Sequence, residues 1–305
     1  MATHDLTIKG AGVFGLSIAW ACVQRGARVR IVDTRGIGAG ASGGIVGALA
    51  PHTPELWDTK KEFQFQSLIM SAAFWASADD ASGLSSGYGR VGRLQSVPTM
   101  RAAALGKDRK VSAAELWRGQ ASWEVIDAGA TWAPYSETGY LIHDTLSGRI
   151  HPNAACQSLA AALRAGGAEF IFEDMQSTGP TLWATGYEGL LNMSQNRPRV
   201  MGNGVKGQAI LLDYDAGDVP QLFADGVHFI PHADGTVAIG STSERYFDDP
   251  TSTDDQLDAL YAKALSICPF LSEAKILRRW AGVRPRAKSR APVMGVHPLQ
   301  KDAFI

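Results

Sequence analysis

The chain has 305 residues, of which 45% are hydrophobic and 19% charged, which excludes a disordered chain and leaves room for one large or two ordinary domains. Its formal net charge of −1 excludes a global basic field for nucleic acid. Glycine is the outlier, 33 residues or about 11% against a typical ~7%, and the surplus sits in short motifs rather than in a collagen-like repeat.

In chain order, Leu6-Thr7-Ile8 predicts a short strand, Gly10-Ala11-Gly12-Val13-Phe14-Gly15 a tight turn, and residues 16–24 a helix closed by Arg25-Gly26. Residues 28–33 predict a second strand, and strand, helix and strand within about 30 residues make a βαβ unit on a parallel sheet. The apolar stretch 6–23 contains Lys9 and three glycines and follows His4-Asp5, so it reads as neither a signal peptide nor a membrane span. Lys9 is unusual where such a strand carries an apolar residue.

Residues 36–44 form a loop of almost only small residues, and the apolar run 45–50 that follows predicts burial. Residues 53–150 lack the βαβ rhythm; Trp57, Trp75, Trp117, Trp123 and Trp132 fall there and read as large core residues. A second βαβ-like block combines an amphipathic helix over 152–165 with strands over 169–172 and 181–186. Antiparallel strands are predicted over 206–212, 227–231 and 236–240, the last two joined at Ala233-Asp234-Gly235. A helix over 253–268 is expected to be capped by Thr253.

The expected architecture is α/β. A Rossmann-like parallel sheet is built from 1–52, 145–190 and 275–305, interleaved with a mixed, mainly antiparallel α+β domain from 53–144 and 191–274.

Gly10-x-Gly12-x-x-Gly15 carries the first chemistry. Gly10 permits the turn, Gly12 lets backbone approach a pyrophosphate, Gly15 allows close helix–strand packing, and the helix N-terminus supplies N–H groups and a positive dipole end. Asp33, at the end of the next strand, is placed to accept from ribose hydroxyls, which argues against a 2′-phosphate, although Arg35 beside it leaves NADP open. Gly10, Gly12, Val13, Phe14, Gly15, Asp33, Thr34 and Arg35 are therefore candidate contacts to an adenine dinucleotide. Ala41, Ser42, Gly43 and Gly44 extend the set: their backbone N–H groups and the Ser42 hydroxyl are donors for phosphate or ring carbonyl oxygens.

Downstream, six basic residues and no acid fall between Arg278 and Arg290. Among them Arg284 sits between Val283 and Pro285, where a partly desolvated guanidinium needs an anionic partner. Arginine outnumbers lysine 19 to 10 over the chain, which favours fixed, bidentate anion recognition. Cys22, Cys156 and Cys268 form no CxxC, zinc or disulfide pattern, and a reducing cytoplasm is the expected location.

The spacing of Ala41-Ser42-Gly43-Gly44 and Pro51 resembles the D-amino-acid oxidase/glycine oxidase family of flavoproteins. Arg149-Ile150-His151-Pro152-Asn153, Ala184-Thr185-Gly186, Gly207-Gln208, Trp280-Ala281-Gly282-Val283-Arg284-Pro285 and Arg290-Ala291-Pro292-Val293-Met294-Gly295 look like further elements of it, in the same order. The resemblance implies non-covalent FAD, since no cysteine lies near the Arg284 motif, with Thr185 and Gly186 beside the cofactor's ADP half. It implies that Arg284 clamps the substrate carboxylate, and that His228 stands near where relatives carry a tyrosine; His52 and Tyr246 are further pocket candidates.

The implied activity is oxidative deamination of a small amino acid or secondary amine, with hydride passing from the substrate carbon to flavin N5. No catalytic base and no metal are expected. Oxygen or another acceptor would reoxidise the flavin, and a homo-oligomer is compatible. Two alternatives stand beside this reading. One is an NAD-dependent Rossmann dehydrogenase. The other is a non-catalytic flavin- or nucleotide-binding protein, or a fragment, because in the family the strand beginning near Ala303 runs on into a loop and helix facing the flavin ring, and this sequence stops there.

Overall fold

The computed structural model describes residues 4–129, 131–177, 179–195 and 199–305. The elements in chain order are β1 (Leu6–Lys9), α1 (Val13–Val23), β2 (Val29–Val32), β3 (Ala48–Leu49), α2 (Thr59–Ser82), β4 (Arg93–Ser96), α3 (Met100–Leu116), β5 (Trp123–Asp127) and β6 (Tyr140–Asp144). They continue with β7 (Gly148–Arg149), α4 (Pro152–Ala165), β8 (Glu169–Ile171), β9 (Thr181–Trp183), α5 (Gly186–Ser194), β10 (Gly202–Asp213), β11 (Gln221–Ala224) and β12 (Val227–Pro231). The last are β13 (Thr236–Gly240), α6 (Asp255–Ile267), β14 (Lys275–Ala287) and β15 (Ala303–Phe304).

Among the described residues the strands form two main sheets. One is wholly parallel, in the order β15-β9-β1-β2-β8. The second runs β14-β10-β13-β12-β11-β4-β6-β5 and is antiparallel apart from the β11–β4 pair. A short ribbon, β3 with β7, stands apart from both. The α/β class and the mixed second sheet agree with the sequence reading. One assignment differs: Lys275–Ala287, expected with the nucleotide-binding segments, pairs along nearly the whole of β10. Strong β-propensity and a long antiparallel partner place it there.

Helix α4 matches its predicted bounds because its pattern is clear: Cys156, Leu159, Ala160 and Leu163 are fully buried, and Pro152 opens the first turn. It packs on α1 around Ile8 and Leu16, where burial of each large side chain contributes about 1.5–3 kcal/mol. Helices α2 and α3 carry weak periodicity, and their ends are set by caps. Asp58 accepts from Lys61 N at 2.8 Å, Thr99 accepts from Ala102 N at 3.1 Å, and Gly83 closes α2 at φ +68°. Trp75, Trp117 and Trp123 are core residues as expected. Helix α6 is capped by Asp254, which accepts from Gln256 N, and not by Thr253; a carboxylate at this position also suits the positive end of the helix dipole.

Candidate active site

The glycine turn is closed by contacts that tolerate no side chain. Gly10 has φ +111°, and a Cβ there would stand 2.4 Å from the Ala184 carbonyl oxygen at the end of β9. A Cβ on Gly15 would stand 2.0 Å from Gly10 O, so helix α1 starts directly against the β1 turn. Gly12 is the extended residue preceding α1. Next to it Val13 N donates to Ser42 Oγ at 3.0 Å, tying the small-residue loop to the helix N-terminus.

Asp33 accepts from Ala11 N at 2.8 Å and from Arg35 N at 2.9 Å. Each oxygen uses one lone-pair site and keeps capacity for a ribose hydroxyl. Arg35 is paired at 2.8 Å with Glu188 on α5. Thr34 and Phe14 are exposed at this end of the sheet, and Thr185 with Gly186, at φ +65°, begins α5 beside Gly10. The predicted nucleotide contacts are thus brought together. Lys9, the residue out of character, turns its ammonium to the carbonyl of Met175.

The small-residue loop continues along the mixed sheet. Gly47 lies so close to Ile150 that a Cβ would stand 1.8 Å from its carbonyl oxygen. Ile150 N donates to Gly47 O at 3.0 Å. His232 Nε2 lies 2.8 Å from Ile45 O; the carbonyl partner assigns the proton to Nε2. Burial first, then His151 nearby, lowers the His232 imidazole to about 4.

Between this segment and the sheet lies a cavity of about 290 Å³, lined by Ala41, Gly44, Val46 and Ala48 on one side and by Gly207, Ala209, His228, Ser241, Trp280, Gly282 and Arg284 on the other. Arg284 Nη1 donates to Ser241 Oγ at 2.9 Å and Nη2 to Thr242 O at 2.8 Å. Neither acceptor carries a charge, and no carboxylate among the described residues makes an ion pair with Arg284. Burial, then the Arg286 charge, pulls the guanidinium below its ordinary value. An anion in the cavity would reverse that tendency.

His228 lines the same cavity. Its pKa falls to about 4 through burial, then through Arg93 and Arg284, so the ring is neutral at pH 7. Its Nδ1 is buried without a hydrogen-bond partner among the described residues, and its ring packs 4.6 Å from that of Phe223.

Two expected pocket residues lie elsewhere. Tyr246 is 93% exposed and does not line the cavity, because the segment after β13 turns outward past Glu244. His52 also stands outside it: Pro51 carries the chain away, and both its backbone N–H and its ring Nδ1 meet the Gln64 amide oxygen on α2. Ser241 and Trp280 are among the lining residues that are not candidates from the sequence. The Trp280 indole lies across Gly282 of its own strand and Gly44 of the loop; Cβ atoms there would stand 2.4 Å and 3.1 Å from it. The alternation Trp280-x-Gly282-x-Arg284 is the signal that places all three on one face of a strand.

Behind that face a polar cluster, buried at Lys206, Gln208 and Glu244 and open to solvent at Asp254, holds the Ser241–Glu244 segment. Gln208 Nε2 donates to Glu244 at 3.0 Å and Asp254 at 2.7 Å, and Lys206 Nζ lies 3.8 Å and 3.7 Å from the same two carboxylates. Gln208 N donates to Thr242 Oγ1 at 2.8 Å. The Gly207-Gln208 pair therefore has one residue on each side of the sheet: a glycine that admits the Arg284 guanidinium and a glutamine that anchors its acceptors.

The glycine cradle, Asp33, Ser42 and the cavity alongside together fit an adenine dinucleotide, and comparison with known proteins identifies the class. A family described as FAD dependent oxidoreductase matches residues 5–305, and the chain belongs to that family. Its cofactor is FAD, and the family's members related to this chain are enzymes. A glycine oxidase of Pseudomonas putida is 35% identical over 102 residues, a match covering 33% of this chain and 28% of that protein. The structure of a glycine oxidase from Geobacillus kaustophilus superimposes with a TM-score of 0.81 at 21% identity, over 99% of this chain and 88% of the other. An iminodiacetate oxidase from Chelativorans sp. BNC1 gives a TM-score of 0.83 at 18% identity, over 98% and 88%. Among the described residues no helix is long and apolar enough to cross a membrane.

Proposed function

We propose that this protein is an FAD-dependent oxidase or dehydrogenase of small amino acids or secondary amines, with Arg284 as the anchor of the substrate carboxylate. The observation that carries this reading is the position of Arg284. It is a guanidinium on the wall of a cavity bounded by the small-residue loop, held at fixed orientation by two uncharged acceptors. A carboxylate placed there aligns the rest of the substrate along the cavity, which is catalysis by positioning. When bound, FAD supplies the two-electron chemistry.

The residues that hold the cofactor in this reading are the Gly10–Gly15 turn with the start of α1, Asp33 at the ribose, and Ala41 to Gly44 with Thr185 and Gly186 alongside. His228 contributes a neutral imidazole next to Arg284: it orients the carboxylate by hydrogen bonding and adds no third positive charge. The parallel sheet with its loop forms the cofactor half, and the mixed sheet the substrate half. The three thiols are unpaired, which is in keeping with a cytoplasmic enzyme whose flavin is reoxidised by oxygen or another acceptor.

The test is anaerobic addition of glycine, sarcosine, D-alanine and iminodiacetate to FAD-loaded protein. Loss of the oxidised flavin's visible band with at least one of them is expected. A protein that binds FAD and is reduced by no amine contradicts the reading.

A further inference from the structure

A second cavity, about 280 Å³, adjoins the first and shares Arg284 with it; it is lined by Val205, Ser243, Arg284, Pro285 and Arg286. Alternate residues of a strand face the same side, so Arg284 and Arg286 rise together from β14, with Cα atoms roughly 6.6 Å apart. Like Arg284, Arg286 has no ion-pair partner among the described residues. Glu244, the acid whose charge acts on Arg284, is committed to Lys206, Gln208 and Thr242. Two neighbouring guanidiniums in a chain of net charge −1 repel each other across a shared space. One monocarboxylate neutralises only half of this arrangement.

We propose that the site takes a dicarboxylic amine, either an acidic amino acid or an N-carboxymethyl amino acid, whose first carboxylate is held by Arg284 and whose second is held by Arg286 in the adjoining cavity. This rests on the reading above, in which Arg284 anchors a substrate carboxylate. The spacing of the two arginines along the strand suits carboxylates separated by a few bonds, within reach of two flexible side chains. Arginine is the side chain expected for such recognition, since its planar fork pairs with a carboxylate through two parallel hydrogen bonds.

The experiment measures binding of unreactive carboxylates to FAD-loaded protein by titration calorimetry, with acetate as the single-carboxylate probe and succinate as the double one. Succinate is expected to bind at least about tenfold more tightly than acetate, the size of one added charge-assisted hydrogen bond. In Arg286→Gln that ratio falls to about one, and in Arg286→Lys part of it returns. A paired kinetic measurement uses iminodiacetate against sarcosine, which differ by one carboxylate; Arg286→Gln lowers the ratio of their kcat/KM values in the same direction. Succinate binding no tighter than acetate, or a ratio that Arg286→Gln leaves unchanged, overturns the dicarboxylate proposal while acetate binding keeps the Arg284 reading intact. Failure of both probes to bind overturns the Arg284 reading and the dicarboxylate proposal with it.

Discussion

The guanidinium of Arg284 lies directly over the backbone of Gly207: a Cβ on that glycine would stand 3.1 Å from Nη2. The two residues sit on paired strands, β10 and β14, and the missing side chain of one makes room for the charged head of the other. Gly207→Ala is therefore expected to displace the guanidinium by a few tenths of an ångström and loosen its bonds to Ser241 and Thr242. KM for a carboxylate-bearing amine should rise several-fold while the melting temperature changes little. An unchanged KM would show that the contact does not orient Arg284.

Gly15→Ala tests the cofactor half. Its Cβ would collide with Gly10 O at 2.0 Å, and backbone on both sides leaves nothing flexible to yield. The expected outcome is a loss of about 2 kcal/mol in stability, together with reduced FAD content after purification. Flavin absorbance per protein and a denaturant titration check both.

The polar cluster behind the sheet makes a separate prediction. Lys206 is 2% exposed and sits between Glu244 and Asp254. Lys206→Met leaves the buried Glu244 carboxylate without its cation, and breaking a buried pair in this way costs about 3 kcal/mol. Chemical unfolding measures it. A cost near zero would mean that water, and not Lys206, compensates these carboxylates.

Stability should depend on pH through the buried histidines. An unfolded imidazole titrates at its ordinary 6.5, whereas His228 and His232 titrate at about 4 in the folded chain. Between those values the unfolded chain binds more protons, so stability falls as pH drops from 6.5 toward 4 and is level above 6.5. Melting temperatures at pH 7 and pH 5 should differ by several degrees. His232→Gln, whose amide retains a donor for Ile45 O, should show a smaller difference than the parent chain.

The glycine turn and its neighbours were legible because their constraints are local. Gly10, Gly12 and Gly15 sit in one turn, Asp33 ends the next strand, and the observed contacts among Ala11, Val13, Asp33 and Ser42 follow from that arrangement. The bounds of α4 and of β12 and β13 were equally clear, since one periodicity or one turn decides them. The surroundings of Arg284 depend on distant pairing. Only the register of β10 with β14 sets Arg284 beside Gly207, and only the course of the chain after β13 brings Ser241 under the guanidinium while carrying Tyr246 away into solvent. His52 lies outside the cavity for a related reason: its partner, Gln64, belongs to a helix whose weak periodicity hid it.

Arg284 is proposed to hold the substrate carboxylate beside the flavin. This proposal is tested most directly by the concentration dependence of anaerobic flavin reduction in the parent chain and in Arg284→Gln, with the same amine. An apparent Kd at least about a hundredfold higher in the variant is expected, equivalent to losing a bidentate charge-assisted contact, with both proteins carrying the same amount of FAD. An apparent Kd within about twofold of the parent would contradict the account.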